Sequence, residues 1–358
     1  MKLSEVERRI PLWYKARISV DLRSSPGVGK SETLEAAPGI IAKATGIDMG
    51  SVTVQGPLLT PQDAIGYLIP KINGELAESL YTEPNWFKTD AKKRLAEYEG
   101  GVVIVEEADK ADIDVKKILG EAALSSRVGP HRLPPGWVVW MAGNRAEDRS
   151  GSTKELDHLI NRQMRIDITP DVGSWTNWAI TRGVLPLTVA WANTNPQIVF
   201  ECRVPEKQGP WCTPRSLVRA DRYMQVVGEG TDTVPDDPVT LEEVTGMIGG
   251  AAAASLFAHV RLDREMPHFD EIVRAPEKVK VPTKADAQML VCYNLAHRVE
   301  LDTADAVIKY VERLPKEFTV TFMTASVKRN ARLIEASGFN NWVSQNASLL
   351  AAIGGMKH

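Results

Sequence analysis

The 358-residue chain reads as an α/β protein, a parallel sheet flanked by helices, followed by a largely helical part. Three observations predict this. Short apolar runs alternate with helical patterns through the first half, as expected of strands covered on both faces by helices. One run, Ile18-Ser-Val20-Asp-Leu22, leads straight into the glycine-rich stretch "RSSPGVGKSE", residues 23–32, which opens a helical pattern. From Gly173 onward the patterns are mostly helical, with Pro- and Gly-bearing breaks near 205–214, 229–238 and 274–283, so a boundary falls near Pro170.

Taken in order, the first segment, "MKLSEVERRIPLWYKARISV", has charges spread through it and no uninterrupted apolar core, unlike a signal peptide. The strand over 18–22 follows, then a helix over "SETLEAAPGIIAKATG" that Pro38-Gly39 should interrupt. "SVTVQG" (51–56) is a second strand, and Asn73-Gly74 within "YLIPKINGELAESLY" signals a hairpin turn. In "GGVVIVEEADKA" (100–111) a buried strand, Val102 to Val105, ends in acids. "LGEAALSSRV" is helical, and "RVGPHRLPPG" is a hairpin or tight loop. "WVVWMAGN" (137–144) is another buried strand, "TKELDHLINRQM" a helix and "RIDI" (165–168) a short strand. Beyond the boundary, "VTLEEVTGMIGGAAAASLFAHV" and "ADAQMLVCYNLAHRVELDTADAVIKYVERL" carry small or apolar residues on a helical period. No internal repeat stands out.

Composition narrows the function classes. Apolar residues at 43% and charged residues at 25% are normal for a globular protein. The net charge of −3 offers no electrostatic reason for tight nucleic-acid binding. Three cysteines, Cys202, Cys212 and Cys292, form no C-x-x-C pair. That disfavours a disulfide scaffold or cysteine zinc site and suits a reducing compartment. No run approaches the roughly 18 apolar residues of a membrane span, so a soluble, cytoplasmic protein is expected.

The stretch at 23–32 nearly matches G-x-x-x-x-G-K-[ST], a phosphate-binding loop. Gly29, Lys30 and Ser31 fit, while Ser24 stands where the first glycine belongs. Strand, loop and helix are in the required order. Backbone N–H groups in such a loop form an anion-binding nest at a helix N-terminus. The candidate nucleotide-binding stretch is Ser25, Pro26, Gly27, Val28, Gly29, Lys30, Ser31 and Glu32. Lys30 would reach the β- and γ-phosphates of ATP, with the Ser31 hydroxyl on Mg²⁺. A small residue at 24 fits if its φ is ordinary. The alternative is a surface turn before a helix that Ser31 caps.

Glu106 and Glu107 close the strand at 102–105. Such a pair beside a phosphate loop suits a magnesium-shell acid followed by a general base that polarises water. Glu106 is one methylene longer than the usual aspartate, which puts the hydrolysis rate rather than nucleotide binding in question. The alternative is a strand running out into solvent. Asn144 ends the next strand at the sheet edge where ligands bind and could orient the attacking water; Gly143-Asn144 could equally be a turn. Arg162, or its rival Arg165, could reach a neighbouring subunit's γ-phosphate, or lie on the surface. Arg215, after Pro214, could pair with phosphate across the domain cleft or simply cap a fold turn.

This order of motifs resembles the AAA+ ATPases, and within them the MoxR-like group often found in phage genomes. The match rests on "SSPGVGKS" as Walker A, "VVIVEEADKA" as Walker B and "LPPGWVVWMAGNRAEDRSG" around sensor 1. It continues with "LINRQMRIDI" around the arginine finger and "TPRSLV" around sensor 2, then "DVGSWTNWA" and "YVERLP" in the helical part. The resemblance implies a P-loop AAA+ core over 1–170, a helical lid over 171–260 and a helical C-terminal extension over 261–358. It casts Lys30 and Ser31 as the nucleotide-binding pair, Glu106 as the magnesium acid and Glu107 as the catalytic base. Asn144 becomes sensor 1, Arg162 the finger and Arg215 sensor 2. Ser24 and Glu106 depart from the family pattern.

The resemblance also implies a homo-oligomeric ring, typically a hexamer, that hydrolyses ATP with Mg²⁺ and acts on a protein client. "GPLLTPQDAIGYLIPKINGELAESLY" and "RVGPHRLPPG" resemble the family's two inserted hairpins, where a client could be gripped; both could equally be ordinary surface hairpins. A von Willebrand factor A domain protein is a common partner in this group, and for a phage protein the compartment is the host cytoplasm. Two other readings compete: a nucleotide-dependent assembly switch with little hydrolysis, motivated by Glu106, and a nucleic-acid motor, disfavoured by the net charge.

Overall fold

The computed structural model describes residues 1–73, 76–145, 163–201, 204–205 and 208–346. The described chain forms two compact units, one of 1–171 with 202–204 and the other of 172–201 with 205–358.

In the first unit a helix α1 (Leu3–Lys15) precedes the strand β1 (Val20–Ser24), the loop and helix α2 (Lys30–Thr45). Strand β2 (Met49–Gln55), short helix α3 (Pro61–Ile65) and a hairpin of β3 (Leu68–Asn73) and β4 (Leu76–Tyr81) follow. Then come β5 (Gly100–Glu106), α4 (Ile113–Ser125), a small hairpin of β6 (Arg127–Val128) and β7 (His131–Arg132), β8 (Trp137–Asn144) and β9 (Met164–Asp167). The main sheet has five strands in the order β2-β5-β8-β1-β9, every neighbouring pair parallel. The expected α/β class, a parallel sheet flanked by helices with a helical region after it, is what the chain adopts.

The buried runs show why. Along β5, Val102 and Ile104 enter one core while Val103 and Val105 enter another. Along β8, Val138, Trp140 and Ala142 join the first, and Trp137, Val139 and Met141 the second. Alternate side chains point to opposite faces, and both faces are covered, so the strands read as continuous apolar runs. The first core is closed by Val6, Ile10 and Trp13 of α1 with Leu34, Ala37 and Ile41 of α2; the second by Val115 and Leu119 of α4.

Two expectations need correction. The first strand lies two residues later than 18–22: Ile18 is exposed, and the pairing with β8 runs from Asp21 to Ser24. The second helix is not interrupted near Pro38-Gly39; α2 continues to Thr45 with Pro38 buried inside it. An internal proline costs roughly 3 kcal/mol, and here the apolar face on both sides of Pro38 is packed in the core. α2 stops instead at Gly46, whose φ of 77° is left-handed and whose N–H bonds Ala42 O at 2.7 Å. The N-terminal segment, read only for targeting, is the amphipathic helix α1. Its Val6, Ile10 and Trp13 recur at the helical spacing that would have revealed it.

The helical unit closes around one hydrophobic core that includes Trp191, Phe257, Tyr310, Phe322 and Phe339. The run "VTLEEVTGMIGGAAAASLFAHV" is two helices, Pro238–Ile248 and Gly250–Arg264, divided at Gly249. Gly249 has φ of 84° and ψ of 153°, and a Cβ there would meet Pro210 O at 2.6 Å. Gly249→Ala is therefore expected to cost about 2 kcal/mol or more, read as a lower urea midpoint of the helical circular-dichroism signal. An unchanged midpoint would mean that the break tolerates a side chain.

Candidate nucleotide site

Parallel pairing brings the C-terminal ends of β1, β5 and β8 to one sheet edge, the edge where open α/β sheets bind ligands. Ser24 ends β1, Glu106 ends β5 and Asn144 ends β8, with Ser24 and Asn144 in register. Between β1 and α2, Gly27 at φ 76° and Gly29 at φ 111° take conformations that side chains resist. Val28 turns into the core below, so its contribution to the loop is backbone. Pro26 is half-buried, and Glu32 lies exposed in the first turn of α2.

The substituted position is explained by its backbone. Ser24 is the last residue of β1, outside the positive-φ positions of the chain, so glycine is not needed there. Its buried hydroxyl donates to Ser25 O at 2.7 Å and accepts from Lys30 Nζ at 2.8 Å. Lys30 Nζ also donates to Ser24 O and Ser25 O, each at 3.2 Å, and to Asn144 Oδ1 at 3.3 Å. The loop lysine is thus held at the sheet edge by its own loop and by the end of β8.

Ser31 does not cap the helix. The N-cap is Gly29, and no side chain accepts from the first-turn N–H groups in the usual capping arrangement. Instead the Ser31 hydroxyl donates to Glu106 Oε2 at 2.5 Å, joining loop to β5 across the sheet edge. Glu107, next along, sits at φ 50° and ψ 39°, a left-handed conformation uncommon for a non-glycine residue. That turn ends the strand, so the two acids do not alternate along β5; Glu106 is buried and Glu107 half-exposed, paired with Lys110 Nζ at 3.0 Å.

Beneath this edge lies a buried polar layer that sequence reasoning missed. Leu22 joins the core against α2, while its neighbours Asp21 and Arg23 point to the opposite face. Arg23 Nε donates to both Asp21 carboxylate oxygens at 2.8 Å, and Nη1 donates to Asn144 O at 3.3 Å. Gly143 leaves the room for this: a Cβ there would meet Arg23 Nη1 at 2.5 Å and Asp109 Oδ1 at 2.8 Å. The alternating charges of "VDLRS" inside an apolar strand were the available signal. Arg145, immediately after Asn144, was also missed, and its Nη2 donates to Ser25 Oγ at 2.7 Å.

Of the predicted residues, then, Ser25, Lys30, Ser31, Glu106 and Asn144 meet through hydrogen bonds, and Glu107 adjoins them in sequence. Arg162 lies outside the described residues, together with the rest of 146–162. Its rival Arg165 is on the edge strand β9, 3.9 Å from Asp167. Arg215 belongs to the helical unit, exposed in the first turn of the helix Pro214–Val227, whose cap is Thr213 accepting from the Ser216 N–H at 3.1 Å.

Among the described residues no group of three or more His, Cys, Asp or Glu is arranged to hold a metal, and no helix is long and apolar enough to cross a membrane. The Ser31 hydroxyl beside the Glu106 carboxylate is a pair of hard oxygen donors, the chemistry Mg²⁺ takes when phosphates and waters complete its shell.

No protein-family model matches the chain, and no curated protein matches it. Several solved structures are similar at a distance. One is a point mutant of RuvB from Thermotoga maritima, at 16% identity over 87% of this chain and 88% of that one, with a TM-score of 0.39. Another is a putative ATPase from Cytophaga hutchinsonii, at 13% identity over 96% and 87%, TM-score 0.33. A third is NtrX from Brucella abortus in complex with ADP, at 12% identity over 97% and 68%, TM-score 0.40.

Proposed function

We propose that this chain is an ATP-binding, ATP-hydrolysing AAA+ protein of the MoxR-like group, working as a homo-oligomeric ring, a hexamer, that remodels or assembles protein complexes. The observation that carries this reading is the hydrogen bond from Ser31 to Glu106 beside the anchored Lys30, at the C-terminal edge of a parallel sheet. A capped surface turn would have no reason to link a helix-opening serine to a buried acid on another strand.

In this reading ATP supplies the phosphoric anhydride, and Mg²⁺ neutralises charge on its phosphates. Lys30 and the backbone of 25–32 bind the phosphates; Ser31 and Glu106 hold Mg²⁺. Glu107 takes the proton of the attacking water on its carboxylate, and the Asn144 amide orients that water. Arg162 or Arg165 of a neighbouring subunit and Arg215 would contact the γ-phosphate. The helical residues serve as lid (171–260) and extension (261–358), in the host cytoplasm if the gene is a phage gene.

Client contact falls to the hairpins. On β3–β4, Leu68, Ile72 and Tyr81 on one face and Ile69 and Leu80 on the other are all exposed, so both faces of the ribbon present apolar side chains. The β6–β7 hairpin lies against its base, the His131 ring Nε2 bonding Thr82 O at 3.0 Å. A von Willebrand factor A domain partner is part of the same proposal.

The test is steady-state ATP hydrolysis at several protein concentrations, with light scattering to follow assembly. Activity per chain should rise with concentration as rings form. Glu106→Asp should raise kcat while shifting nucleotide affinity by less than about threefold, under 1 kcal/mol. ATP binding without turnover at any concentration would select the assembly switch; no nucleotide binding would end the proposal.

A further inference from the structure

We propose that Arg145 is a second cation of the phosphate site, contacting the terminal phosphate of a nucleoside triphosphate; this rests on the nucleotide-binding reading above. Two positive groups converge on one loop residue. Lys30 Nζ donates to the Ser25 carbonyl at 3.2 Å, and Arg145 Nη2 donates to the Ser25 hydroxyl at 2.7 Å. An anion seated over Ser25 would meet both cations, and charge-assisted hydrogen bonds to phosphate are among the strong ones.

The position of Arg145 is set by the fold rather than by its own flexibility. It follows directly on Asn144, which is in register with Ser24 and whose carbonyl accepts from the buried Arg23 at 3.3 Å. The Asn144 side chain accepts from Lys30, so β8 reaches the loop through two consecutive residues, one amide and one guanidinium. A guanidinium offers five donors in a planar fork that matches phosphate oxygens. In the reading above Lys30 reaches the β- and γ-phosphates and the α2 N-terminus receives the phosphates of the loop. Arg145, arriving with the residue cast as water-orienting, serves the outermost one.

Titration calorimetry with Mg²⁺ and either AMP-PNP or ADP tests this on the full chain, comparing the parent with Arg145→Gln, Arg145→Lys and Lys30→Ala. Arg145→Gln should weaken AMP-PNP about tenfold or more, the loss of one charge-assisted contact, and ADP far less. Arg145→Lys should recover part of the difference because the charge remains. If Arg145→Gln weakens both nucleotides equally, Arg145 only staples the loop and the assignment falls. It falls alone if Arg145→Gln matches the parent while Lys30→Ala loses binding. If the parent binds neither nucleotide, the nucleotide-site reading falls and takes the assignment with it.

Discussion

Lys30→Ala is expected to reduce ATP affinity by about a hundredfold or more, measured by calorimetry or by a fluorescent nucleotide analogue. Each charge-assisted hydrogen bond contributes roughly 1.5–3 kcal/mol, and a loop lysine spans two phosphates. The variant also removes the donor that Ser24 O, Ser24 Oγ, Ser25 O and Asn144 Oδ1 share. A stability loss of about 1–3 kcal/mol should accompany it, so unfolding must be measured beside binding. Lys30→Arg separates the two effects, because it keeps a donor but places a wider head group in a buried pocket. A folded Lys30→Ala that binds ATP like the parent would remove the lysine from the site.

Glu107→Gln is expected to leave binding intact and lower turnover by about a hundredfold to ten-thousandfold, the range of a positioned general base. The structure predicts little effect on folding. Glutamine meets the same backbone demand at φ 50°, and the lost ion pair with Lys110 is half-exposed and three residues apart on the chain. Such pairs contribute at most about 1 kcal/mol. A variant that traps ATP would also hold whatever assembly the triphosphate state favours, visible by light scattering. Turnover equal to the parent would reassign the base and return attention to Glu106.

Much of the site was legible in the one-dimensional pattern, for a physical reason. Phosphate loops need glycines at left-handed positions and a lysine at a set offset, and those demands are local, so Gly27, Gly29 and Lys30 declare themselves. The buried strands were equally plain, because a strand covered on both faces must be apolar at every position, as Val102 to Val105 are. Where local rules misled, packing overrode them. Pro38 should interrupt α2, yet the helix continues with that proline buried. In α1 the charges between Val6, Ile10 and Trp13 mask a helical spacing that is present in the sequence and that packing turns into a buried face.

The sequence by itself determined the α/β class, the glycine-bearing loop between β1 and α2 and the acids that follow the neighbouring strand, since each follows from residue type and spacing along the chain. Only the tertiary structure decided that Ser24 is compatible with the loop, that Ser31 turns to Glu106 instead of capping its helix, and that Arg23 and Arg145 belong to the same sheet edge. Those contacts join residues from 75 to 121 positions apart, save for the short span from Ser24 to Lys30. A side chain's partner over such distances is chosen by strand order and register, which parallel pairing sets and local composition does not encode.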